Sequence, residues 1–152
     1  MPNIRSLLSP AGKLAMARAQ IQAGAILLLN CPFAQPKPKD KFVVVAHVCD
    51  YPLLIVINSA INDYIKSRPY LKSCQVPILA SDYTFLSRDS FADCSEVKSS
   101  MSRASIAKQI SDDPSRFKGT LSRKTRSEIA NAISGAPTVS REQIKLITVS
   151  LR

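Results

Sequence analysis

Tryptophan is absent from the 152 residues, and aromatic side chains make up only 6% of them. That excludes a recognition sheet paved with several stacking rings. Histidine occurs once, at His47, inside the strand-like run Val43–Val48, so a Ser-His-Asp triad has one candidate imidazole, placed where a core or edge residue is expected. Glycine totals 4, and no Gly-rich dinucleotide turn or nucleophile elbow is present. Ser9-Pro10-Ala11-Gly12-Lys13 lacks the first glycine and the preceding strand of a phosphate loop. No apolar run approaches the ~18 residues of a membrane span, and the longest, Ala23–Leu29, is strand-sized, so no membrane partner is expected. The 4 cysteines, at 31, 49, 74 and 94, lack the close pairing of a zinc knuckle. No metal or other cofactor is expected. No signal-peptide hydrophobic region precedes the cysteines, which lie in or beside apolar stretches and read as reduced thiols of a cytoplasmic protein. The first acid is Asp40. An acid-free, basic start is shared with transit peptides, but strand-like Ala23–Leu29 within it favours folded structure.

What is present points to a core and to a polyanion. Hydrophobic residues are 45% of the chain, enough for one compact domain over 23–152 with an N-terminal extension over 1–22. The net charge is +10 and uneven: residues 1–41 carry +5, residues 42–97 carry −2 and residues 98–152 carry +7. Basic ends around an apolar, mildly acidic middle suit nucleic acid as the partner.

Local patterning gives an α+β reading. Residues 1–9 read as a loose lead. Ser9-Pro10 caps a short helix near 10–21, with Leu14, Ala17 and Ile21 at helical spacing. Ala23–Asn30 reads as a buried strand. Residues 31–41 hold three prolines and three lysines and read as a basic loop. Phe42–Val48 and Leu53–Asn58 follow as strands, then a helical or irregular connection over 62–70. Cys74–Leu79, Tyr83–Leu86 and Phe91–Lys98 complete five or six short strands, the pattern of a small barrel or sandwich. A helix is expected over 101–111, a break at Gly119, a helix capped by Ser122 through Ile129 and Ile133, and a last one opened by the capping box Ser140–Gln143 and carrying Ile144 and Ile147.

Strand cleavage of RNA needs neither metal nor histidine, because the 2′-OH is the nucleophile and the protein need supply only a proton acceptor and a cation. The candidates are Lys39 and Lys41 in the basic loop and Asn58 and Ser59 at the end of the third strand. Turn chemistry alone also accounts for these residue types. Gly24-Ala25-Ile26-Leu27-Leu28-Leu29, the Pro-rich basic loop and Lys41-Phe42-Val43-Val44-Val45 together resemble the opening of the MazF/PemK toxin family. Asp89–Lys98 resembles that family's later strand, and Lys118-Gly119-Thr120-Leu121-Ser122 its approach to a C-terminal helix. The likeness covers roughly residues 23–148. It implies an SH3-like antiparallel barrel with C-terminal helices, commonly a homodimer, that cleaves single-stranded RNA without metal and is neutralised by an antitoxin. It assigns catalysis to Lys41 and Ser59; the RNA-binding candidates are Lys37, Lys39 and Asn58 around the basic loop and third strand, Lys98 at the end of the later strand, and Arg123, Lys124 and Arg126 in the basic C-terminal end. The sequence departs from the family at Ala25, Phe42, Ser95 and Glu96, where the family pattern has Asp, Pro, Asp and Gln, and residues 59–82 are an insertion. These departures bear on catalysis and leave a second reading, a weakened barrel that binds nucleic acid or a partner without cleaving. A third is an interaction module whose charge is incidental.

Overall fold

The computed structural model describes residues 8–152. Of the lead expected over 1–9, residues 1–7 lie outside the described part. Helix α1 (Pro10–Ala19) starts where Ser9 Oγ accepts from Gly12 N at 3.0 Å, with proline in the first turn. Six strands follow: β1 (Ala25–Cys31), β2 (Lys39–His47), β3 (Leu53–Asn58), β4 (Gln75–Ile78), β5 (Ser90–Asp93) and β6 (Phe117–Thr120). They form one sheet in the order β4-β5-β3-β2-β1-β6, with every pairing antiparallel, curled into a half-barrel. Two short helices, α2 (Asp63–Lys66) and α3 (Pro69–Lys72), occupy the connection from β3 to β4. Helix α4 (Arg103–Asp112) and a 3₁₀ turn over Pro114–Arg116 lead to β6, and α5 (Arg123–Ser134) and α6 (Arg141–Leu151) follow it. Ser122 and Ser140 cap the last two helices, each accepting at 3.2 Å from the backbone N–H three residues on.

The central strands read as unbroken apolar runs because both faces of the sheet are buried. Ile26, Val44 and Ile55 pack on one face with Ile129 and Ile133 of α5 and Ile147 of α6. Their neighbours Leu27, Val45 and Leu54 pack on the other with Ala17 and Ile21 from the α1 segment and Ile106 and Ile110 of α4. Adjacent residues thus go to opposite cores, as the strand period of two requires.

Three local expectations are corrected. Lys39, Asp40 and Lys41 belong to β2, paired with β1 through Cys31↔Lys39 and Leu29↔Lys41, so the loop is shorter than the run of prolines and lysines suggests. Tyr83–Leu86 is a turn, not a strand: Leu86 N bonds back to Tyr83 O at 3.0 Å, and Tyr83 and Leu86 are both buried, a spacing of three rather than two. The strand expected over 91–98 ends at Asp93, whose Oδ1 accepts from Ser95 N at 3.1 Å and turns the chain; Lys98 regains only an isolated bridge to Leu54. Gly119 interrupts the helical pattern as expected, and does so within β6, at φ 129° and opposite Ile26. A residue in that conformation still pairs when a partner strand is present, and only the fold brings β1 alongside.

Candidate nucleic-acid groove

β2 alternates its side chains, so Lys39 and Lys41 lie on the face of Val43 and Val45, while Asp40 and Phe42 lie on the other. Phe42 pairs with Ile57, which sets Lys41 beside Asn58 across the β2–β3 pair. Lys41 Nζ donates to Asn58 Oδ1 at 2.9 Å. Here the sheet face opens into a groove of about 370 Å³ lined by Lys39, Lys41, Asn58, Asn62, Asp93, Glu96, Lys98 and Phe33, among others. Lys98 arrives from the connection after β5, held by Glu96 Oε1 at 2.5 Å, its ammonium 5.1 Å from the Phe33 ring centroid. Asp93 is fixed at the end of β5: its Oδ1 accepts from Gln75 Nε2 at 2.8 Å and from Ser95 Oγ at 2.5 Å. Asn62 is committed to α2, where its Oδ1 accepts from Ile65 N at 2.9 Å.

The electrostatics follow from partial burial. Desolvation, then the neighbouring Lys39, pulls the Lys41 ammonium below the ordinary lysine value. The partner of Lys41 is a neutral amide, so its charge is oriented without being cancelled. Burial pushes the Cys31 thiol up to about 11, against the opposing pull of Lys41.

A second groove, about 550 Å³, opens on the opposite face between the sheet and the β4–β5 connection. Ser59, Phe42, Ile57, Phe85, Ser87 and Arg88 line it, and Lys39 and Lys41 border it as well.

Four of the residues expected from the sequence, Lys39, Lys41, Asn58 and Lys98, therefore meet in the first groove. Ser59 does not: it follows Asn58, and strand alternation carries it to the second. Lys37 is exposed in the turn between β1 and β2 and lines neither. Arg123 and Lys124 are exposed in the first turn of α5; Lys124 shares a third groove with Lys118 and Ser122. Arg126 packs against Gly24, its Cδ 3.4 Å from where a β-carbon would stand. Sequence reasoning missed Phe33, Asn62, Asp93 and Arg88. Asn62 alone carries a local signal, as a helix cap, and that signal says nothing of the groove. Among the described residues no group of three or more His, Cys, Asp or Glu is placed to hold a metal ion. No protein-family model and no curated protein matches the sequence.

Proposed function

We propose that this chain binds single-stranded RNA in the Lys39–Lys41–Lys98 groove and cleaves it without metal, as a divergent MazF/PemK-like toxin with an SH3-like barrel. The observation that supports this reading is convergence: three lysines and an asparagine, from two strands and a distant connection, line one groove. In the proposed reaction the 2′-oxygen attacks the adjacent phosphorus and the bond to the 5′-oxygen breaks, leaving a 2′,3′-cyclic phosphate and a 5′-hydroxyl. Lys41 offsets the charge that builds on the phosphorane oxygens, and Asn58 holds its ammonium in place. Asp93, its Oδ1 already engaged, takes the 2′-OH proton on its other oxygen, and the departing 5′-oxygen takes a proton from solvent water. Lys39 and Lys98 hold the backbone on either side. A homodimer, a neutralising antitoxin and a cytoplasmic setting belong to the same proposal.

The test is incubation with a long unstructured RNA in EDTA, followed by end analysis. Discrete fragments with 2′,3′-cyclic phosphate ends are expected, lost in Lys41→Ala by a hundredfold or more, on the order seen when a preorganised charge is removed, and retained in Lys41→Arg. A second reading, binding without cleavage, is favoured by the position of Ser59 outside the groove and by the Glu96 partner that offsets Lys98. RNA that is bound but left intact would establish it. Failure to bind RNA at all would leave an interaction module.

A further inference from the structure

The two grooves meet at the outer end of β2. The β2–β3 pairing stops at Phe42↔Ile57, with Lys41 and Asn58 beyond it, whereas β2 continues against β1 through Asp40 and Lys39. Past Asn58 the β3 side of β2 is open, and Lys39 and Lys41 border the groove on each face. The second groove has the chemistry of a nucleotide site. Phe85 is half-buried, 5.1 Å centroid to centroid from Phe42 and tilted to it by 47°. Arg88 is exposed, and its guanidinium has no hydrogen-bond or ion-pair partner among the described residues, nor do the hydroxyls of Ser59 and Ser87. Asp40, the acid among the lining residues, faces Arg116 at 3.4 Å.

We infer that the second groove is a base-binding subsite for the nucleotide adjoining the one held at Lys41, with Phe85 stacking on the base and Arg88 on its flanking phosphate. This rests on the RNA-binding reading above. The strand crosses the open end of β2, its phosphate against Lys39 and Lys41, and places one nucleotide on each face of the sheet. Stacking accepts any base, because every base has a π-face, whereas the serine hydroxyls can favour one base edge over another. The occupant is a nucleotide rather than an apolar peptide, because the groove combines three cations with an aromatic face and a polar rim.

The experiment is fluorescence titration of a short RNA carrying 2-aminopurine at successive positions, against a protein with no tryptophan background. Quenching is expected at one position on binding to the wild type. Phe85→Leu, which keeps an apolar side chain but removes the ring, should abolish that quenching and weaken binding on the order of tenfold. Arg88→Gln, at an exposed position where folding is undisturbed, should lower the salt slope by about one. Quenching and affinity unchanged in both variants, while Lys41→Gln loses binding, would overturn the subsite and leave the RNA-binding reading standing. No binding by the wild type would overturn both.

Discussion

A lysine that donates to an amide oxygen keeps its full charge for a ligand; one that meets a carboxylate has part of it offset. Lys41, bonded to Asn58, is the first kind, and Lys98, bonded to Glu96, the second. Asn58→Asp should therefore raise the Lys41 pKa and lower RNA affinity roughly tenfold, as loss of one phosphate contact would. In the wild type the lowered Lys41 pKa should make binding fade at a lower alkaline pH than an ordinary lysine allows, and anisotropy titrations across pH would show both effects. Thiol chemistry gives an independent check of the packing. Cys49 is exposed, whereas Cys31, Cys74 and Cys94 are buried with their thiol pKa values raised by burial. A native thiol titration should release one equivalent quickly and the other three only on unfolding. Because Cys31 holds its proton up to about 11 when folded, against an ordinary 9.0, its contribution to stability is full below pH 9 and lost as pH rises through 11.

At the scale of elements, the β4–β5 connection carries Phe85 and Arg88 and is pinned by Tyr83. The Tyr83 hydroxyl donates to Thr125 Oγ1 at 3.0 Å and accepts from Ser122 N at 3.1 Å, tying the connection to the first turn of α5. Tyr83→Phe should cost about 0.5–1.5 kcal/mol by removing these bonds, and should also weaken RNA binding although Tyr83 lines neither of the first two grooves. Strand β6 offers a second test. Gly119 has φ 129°, with nothing near the position of an added β-carbon, so Gly119→Ala is penalised by backbone conformation alone. A loss of about 1–3 kcal/mol is expected. Gly135→Ala, where φ is negative and the nearest atoms are 4.0 Å away, should change thermal stability little.

For the whole molecule, the basic ends are brought to separate places. Lys39 and Lys41 border the two grooves, while Arg123 and Lys124 stand at the start of α5, Lys124 sharing a groove with Lys118. Affinity for single-stranded RNA should fall steeply with salt. Replacing Arg123 and Lys124 with glutamine should weaken binding to all sequences alike and reduce the slope by up to about two, without moving cleavage sites. A flat salt response would favour the interaction module. Sedimentation over a wide concentration range tests the homodimer, and a monomer throughout would remove it.

The sequence by itself determined α1, α5 and α6 with their serine caps, because a hydroxyl at the right offset from an apolar stripe is a local signal. It also determined β1, β3 and the part of β2 from Phe42 onward, whose apolar runs are long enough to be strands however they pair, and it marked Lys39, Lys41, Asn58 and Lys98 as candidates by residue type. Only the tertiary structure decided that these four share a groove while Ser59 faces away, because strand register and alternation fix which side chains meet. Only it decided that Gly119 joins a strand and that Tyr83–Leu86 does not. Short elements carry too few residues to choose a state on their own: Phe117–Thr120 takes its strand from β1, and the β4–β5 connection takes its turn from burying Tyr83 and Leu86 beneath the curled sheet.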